Sequence, residues 1–240
     1  MRKSRLPFVR FRDLNRSHLN VDFHVHTTRT DGEATIEKIL ELAREKRLSA
    51  IAFTEHVRKE THWFSEFKGS VQKSSQFYPE IKVYTGCETK ALDKKGTLDL
   101  SEEILQQCDI ILGSVHRFPD GTGGYVDFSK LPPEQLAEIE CEMAVGLLRN
   151  APIDVLAHPG GMYQRRHGPY PEYLFRRILT CSLEREIAVE ISTSYLVDFT
   201  GFLKMCGEIN PFVSIGSDLH KLEAMGTCRD RLMSHLGFPK

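Results

Sequence analysis

Two short motifs carry paired side chains of the kind that bind metal ions. His24 and His26 flank Val25, and Asp218 and His220 flank Leu219. Residues two apart on an extended strand point to one face, so His24 and His26 act together, as do Asp218 and His220 if that triplet stays extended. Between the two motifs fall Asp31, His56, Glu88, His116 and His158. Imidazoles and carboxylates without cysteine form the ligand sets of zinc, manganese or iron in hydrolytic centres.

These residues need elements that bring them together. From Val21 onward, short apolar runs alternate with longer amphipathic stretches. The runs cover 21–25, 50–53, 81–84, 110–112, 153–157, 187–191 and 212–215, are rich in Val and Ile, and read as buried parallel strands. The intervening stretches read as helices. Thr35 and Ser101 are N-cap residues, Pro132 and Pro133 open a helix burying Leu136, Ile139, Met143 and Leu147, and Pro171 opens the next. A helix is also expected over 199–206, a less regular one within 59–78, and a small hairpin over 91–100. Seven βα units without a linker predict one α/β domain closed as a barrel. In such a barrel the C-terminal strand ends share one mouth, which holds the active site. His24, His26, His56, Glu88, His116, His158, Asp218 and His220 all fall at or just after those ends, and Asp31 in the loop after the first strand. A lone histidine there is more often a hydrogen-bond partner than a ligand. Nine such groups buried together demand a counter-ion, which a metal cluster supplies.

Composition is ordinary for a soluble globular protein. Of 240 residues, 40% are hydrophobic and 27% charged, with 32 Lys+Arg against 33 Asp+Glu and a net charge of −1. No apolar run approaches the roughly 20 residues that span a bilayer. The balanced charge argues against a protein that lives by non-specific nucleic-acid binding. The six cysteines form no C-x-x-C pair and read as reduced, buried thiols of a cytoplasmic protein. Residues 1–19 are basic (Arg2, Lys3, Arg5, Arg10, Arg12, Arg16) and read as an extension packing through Phe8 and Phe11, ahead of a catalytic domain over 20–240.

The segments Asp22-Phe23-His24-Val25-His26 with Asp31-Gly32, Thr54-Glu55-His56, Gly86-Cys87-Glu88, Gly113-Ser114-Val115-His116, Ala157-His158-Pro159 and Gly216-Ser217-Asp218-Leu219-His220 together resemble the PHP (polymerase and histidinol phosphatase) family, over about residues 20–225. The resemblance implies a distorted seven-stranded (β/α)7 barrel and three divalent metal ions (Zn, Mn or Fe). Their ligands would be His24, His26, Asp31, His56, Glu88, His116, His158, Asp218 and His220. It implies hydrolysis of a phosphomonoester, histidinol phosphate or another small phosphorylated compound, by a hydroxide bridging two metals, without a phosphoenzyme. Two positions depart from the family pattern. Glu55 replaces the usual Asp and is expected to orient His56 or a neighbour, and Lys90 stands where many members are acidic or neutral.

Arg117, Arg165 and Arg166 are candidate phosphate contacts, the latter two in the loop after His158. No general acid is assigned; His62 and His167 are loop candidates, whereas His18 and His235 lie outside the repeat. A nuclease acting on nucleic-acid ends would need an aromatic, basic groove, for which Trp63, Phe64 and Phe67 with Lys59 and Lys68 are available, although core packing explains those rings more simply. A non-catalytic PHP module in a larger assembly and a metal-dependent amide hydrolase are further alternatives. The complete ligand set argues against the module.

Overall fold

A computed structural model describes residues 8–120, 122 and 124–238. All seven expected strands are present: β2 (Val21–Val25), β3 (Ala50–His56), β4 (Lys82–Lys90), β5 (Ile111–Ser114), β6 (Val155–Leu156), β7 (Ala188–Ile191) and β8 (Phe212–Ile215). They run parallel in sequential order, as right-handed βα crossovers dictate. A short strand, β1 (Val9–Arg10), pairs antiparallel with β8 at the sheet edge.

The described part of the N-terminal segment is built into this fold. Phe8 packs edge-on against Phe23 at 6.1 Å, and Phe11 is buried. Arg12 donates from Nε to the carbonyl of Gly207 at 2.7 Å. The basic residues Arg2, Lys3 and Arg5 lie outside the described residues.

Closure is indirect. β2 meets the segment just after β8 through a single parallel bridge, Val25 to Leu219. There the His26 N–H donates to the Leu219 carbonyl at 2.9 Å, and the Leu219 N–H donates to that of His24 at 3.0 Å. The two motifs that open and end the ligand series are thus stitched side by side.

Helices surround the sheet where their start signals place them. The hydroxyls of Thr35 and Ser101 accept the N–H groups of Lys38 and Ile104, capping α2 (Ile36–Glu45) and α4 (Glu102–Gln107). The ambiguous stretch after Lys59 forms α3 (Phe64–Ser75), and the two prolines start α5 (Pro133–Asn150). Next come α6 (Gly161–His167), α7 (Glu172–Arg185), α8 (Phe199–Ile209) and α9 (Thr227–His235), with a one-turn α1 (Arg16–Leu19) ahead of β2. Arg165 and Arg166, expected in a loop, therefore lie on a helix. Hairpin pairing of Ala91 with Leu98 also forms.

Strand faces divide the chemistry. Ile51 and Phe53 of β3 face α2 and its neighbours, whereas Ala50 and Ala52 join Phe23, Tyr84, Ile110, Leu112 and Val155 in an apolar plug inside the barrel. Further along the same inward-facing rows, side chains turn polar. β3 and β4 outrun their apolar runs, so His56 and Glu88 are strand residues paired in register. In β2 a bulge breaks the alternation between Asp22 and Val25. It lets adjacent residues share one face: Phe23 joins the plug while His24 joins the polar layer above it. The Val25 N–H donates to Thr54 Oγ1 at 3.1 Å across this irregularity.

Candidate metal centre

Glu88 is the hub of the polar layer. It is 1% exposed, and its two oxygens divide five imidazoles between them. Oε1 lies 2.8 Å from His158 Nε2 and 3.0 Å from His116 Nε2. Oε2 lies 3.0 Å from His56 Nδ1, 3.3 Å from His24 Nε2 and 3.5 Å from His26 Nε2. Asp218 Oδ1 meets the same two nitrogens, 3.3 Å from His24 Nε2 and 3.2 Å from His26 Nε2. Asp31 Oδ2 is 3.3 Å from His56 Nε2 and 3.2 Å from His220 Nε2. All nine expected residues therefore meet at one mouth.

The donor set fits metal ions. His24 Nε2, both ring nitrogens of His26, Glu88 Oε2 and Asp218 Oδ1 are buried and make no well-aligned hydrogen bond, and all but His26 Nδ1, which faces Asp31, lie together. Buried polar atoms without partners are costly and call for an ion. Three overlapping sets keep their ligand atoms within 4.8 Å of one another: His26–Asp31–His56–His220, His24–His26–Glu88–Asp218 and His56–Glu88–His116. His158 adjoins the third through Glu88 and His116.

Protonation is set by the same crowd. Burial alone would raise Glu88 and Asp218, but the imidazoles outweigh it and hold both well below the usual carboxylate range. Burial pushes His26 down to about 4, leaving a neutral ring suited to ligation. His24 goes the other way: burial opposes its charge, but Glu190, Asp218 and Glu88 raise it well above the ordinary value.

Glu190, near the end of β7, was not foreseen. Its Oε1 lies 2.7 Å from His24 Nδ1, and its Oε2 accepts the His158 N–H at 2.7 Å. A carboxylate on the far nitrogen of a ligand histidine fixes its tautomer and ring orientation. The Oε2 contact anchors His158 at a φ of 26°, a conformation rare for a residue with a side chain. Gly216 permits this packing: a Cβ there would lie 2.3 Å from Glu190 Oε1 and 2.6 Å from His24 Cβ. The available signal was a lone acid inside the apolar run 187–191.

Glu55 faces away from the centre and holds the loop that bears Asp31. It accepts the Thr27 N–H at 2.8 Å and the Thr30 hydroxyl.

The mouth opens into a cleft of about 400 Å³. Arg165 and Arg117 line it, joined by Arg58 and Lys90. Arg165 stacks on Tyr195 with 4.5 Å to the ring centre and donates to its hydroxyl, while the Tyr195 ring lies 4.6 Å from that of His158. Arg166 departs from expectation. It turns back to the Met162 carbonyl and the Phe128 ring, outside the cleft lining. His62 and His167 are exposed and do not line the cleft either. Phe64 and Phe67 are buried in the core, so no aromatic groove forms there.

Helix α6, which carries Arg165, rests on a buried acid. Glu140 accepts the N–H groups of Met162 and Tyr163, each at 2.9 Å, and burial pushes its carboxyl from 4.5 up to about 7. Below about pH 4.5 folded and unfolded chains both hold this proton; between there and about 7 only the folded chain does. Stability therefore falls as pH rises through that window, by about 3 kcal/mol in all. Denaturant titrations at pH 5 and 8 should show the wild type losing roughly 2 kcal/mol more than Glu140→Gln. Equal losses in the two proteins would show that the carboxyl does not titrate there.

A parallel barrel with this histidine and carboxylate cluster at its mouth defines a metal-dependent hydrolase. The PHP domain family model matches residues 22–194, and the chain belongs to that family of phosphoesterases. Among curated relatives, a "Probable phosphatase" of Caldicellulosiruptor bescii is 25% identical over 241 residues, covering 92% of this chain and 89% of that one. Another from Clostridium novyi is 27% identical over 223 residues, covering 86% and 81% respectively. The fold is shared with the histidinol phosphate phosphatase of Lactococcus lactis, solved with zinc, L-histidinol and phosphate. That match has a TM-score of 0.66 and 17% identity, and covers 91% of this chain and 94% of that one. Among the described residues, no helix is long and apolar enough to cross a membrane.

Proposed function

We propose that the chain hydrolyses the phosphomonoester of a small phosphorylated compound at a centre of three divalent ions. Their ligands would be His24, His26, Asp31, His56, Glu88, His116, His158, Asp218 and His220. The observation that carries this reading is the convergence of buried nitrogen and oxygen atoms that lack hydrogen-bond partners at the barrel mouth. The zinc, L-histidinol and phosphate bound by the Lactococcus protein support the same class of ligand here.

When bound, divalent ions supply Lewis acidity: they activate water near neutral pH and neutralise charge on the phosphoryl oxygens. The chain's own residues do the rest. The imidazoles keep Glu88 and Asp218 ionised, while Glu190 holds the His24 ring. Arg165, braced by Tyr195 at the cleft wall, would donate to a phosphoryl oxygen.

Elemental analysis of protein purified without chelator should find about three equivalents of Zn, Mn or Fe, since nine ligands at about three per ion serve three ions. Chelation should abolish hydrolysis of 4-nitrophenyl phosphate and L-histidinol phosphate, and metal should restore it. Metal-free protein with undiminished activity would overturn the proposal.

A further inference from the structure

The cleft wall outside the ligand cluster is cationic. Arg58, Lys90, Arg117 and Arg165 line it, and its carboxylates, Asp31, Glu88 and Asp218, all belong to the proposed ligand set. Three of the cations are neighbours by construction. β3, β4 and β5 are adjacent parallel strands, with His56 paired to Glu88 and Lys90 paired to Ser114. Arg58 lies two residues past His56, and Arg117 three past Ser114, so the three side chains leave successive strand ends on one side of the mouth. Arg165 and Tyr195 come from beyond β6 and β7, across the mouth.

The row is held together and only partly neutralised, at Lys90. Tyr125 receives a hydrogen bond from Lys90 Nζ at 2.9 Å, and its ring centre lies 5.4 Å from Lys90 Nζ and 5.1 Å from Arg117 Cζ. Lys90 also pairs with Asp99 at 3.3 Å. Neither Arg58 nor Arg117 has a carboxylate partner among the described residues. Two cations against one ring repel each other, and an anion relieves that cost.

Resting on the phosphomonoesterase reading, we infer that Arg58, Lys90 and Arg117 form a second anion site, so that the leaving group of the substrate carries a carboxylate or a second phosphate. A cationic leaving group such as the ammonium of histidinol would meet the unpaired charges of Arg58 and Arg117, and the acid on this side, Asp99, is already paired with Lys90. Arg165, across the mouth, stays with the scissile phosphate.

A matched series tests this with metal-loaded enzyme: 3-aminopropyl, 3-hydroxypropyl and 2-carboxyethyl phosphate, and propane-1,3-diyl bisphosphate. The expected kcat/KM for an anionic member exceeds that for the hydroxyl member by about tenfold or more, with the amine slowest. The faster of the carboxylate and the bisphosphate identifies the anion. In Arg58→Ala/Arg117→Ala the anionic-to-neutral ratio should fall below about twofold; using a ratio cancels any general loss of activity. Calorimetry with 3-phosphonopropanoate and propylphosphonate reads the same preference without turnover. Turnover with equal rates, or with the amine preferred, overturns the second anion site and leaves the phosphomonoesterase intact. Absence of turnover on every substrate, L-histidinol phosphate included, overturns the phosphomonoesterase reading. The calorimetric ratio then decides the anion site alone, and equal affinities sink it.

Discussion

Glu88→Gln should lower kcat/KM by about a thousandfold or more, equivalent to roughly 4 kcal/mol of lost transition-state stabilisation. The substitution is almost isosteric, so its effect is one of charge. Five imidazoles lie within 3.5 Å of the Glu88 oxygens. An amide presents one acceptor and one donor to them, and its NH2 repels any cation they hold. The variant should keep its fold and bind fewer metal equivalents, as read by elemental analysis alongside steady-state kinetics. Wild-type activity and metal content in a folded Glu88→Gln protein would remove Glu88 from the centre.

Glu190→Gln should cost about 10–100-fold in metal affinity or activity, the range for a group that orients a ligand without touching the metal. Glutamine has one carbonyl oxygen for two demands: the His24 ring at 2.7 Å and the His158 N–H at 2.7 Å. One of the two is left unmet, and the charge that favours a proton on His24 Nδ1 is gone. Competition with a chromophoric chelator would report the affinity, and activity at excess metal would separate occupancy from geometry. A loss confined to stability, with metal affinity unchanged, would make Glu190 a packing residue alone.

The nine clustered residues were legible because β-barrel topology converts position along the chain into position in space. A histidine or acid at or just after six of the seven apolar runs needs no tertiary detail to be sent to the shared mouth. The capping hydroxyls of Thr35 and Ser101 were legible for the same reason, since their hydrogen bonds are local. Contacts between distant strands were not. The bulge in β2 depends on how that strand lies against β3, and period-two alternation places Phe23 and His24 on opposite faces. Glu190 sits in a run whose other members are apolar, and its partner is 166 residues away. Arg166 and Arg165 are sequence neighbours, and only the formation of α6 turns one into the cleft wall and the other away. The edge strand Val9–Arg10 is too short to carry a pattern of its own.

The seam between Val25 and Leu219 has a bearing on how such a protein comes into being. Beside it, the Ser217 N–H reaches Asp22 Oδ1 across 195 residues of sequence. His24-x-His26 is made early and Asp218-x-His220 late, yet they flank one centre. A ribosome-bound chain still short of Asp218 has no complete site to load, and contacts of such long sequence separation are slow to form. An ion that needs both motifs for its ligands would therefore be bound only after this seam has formed.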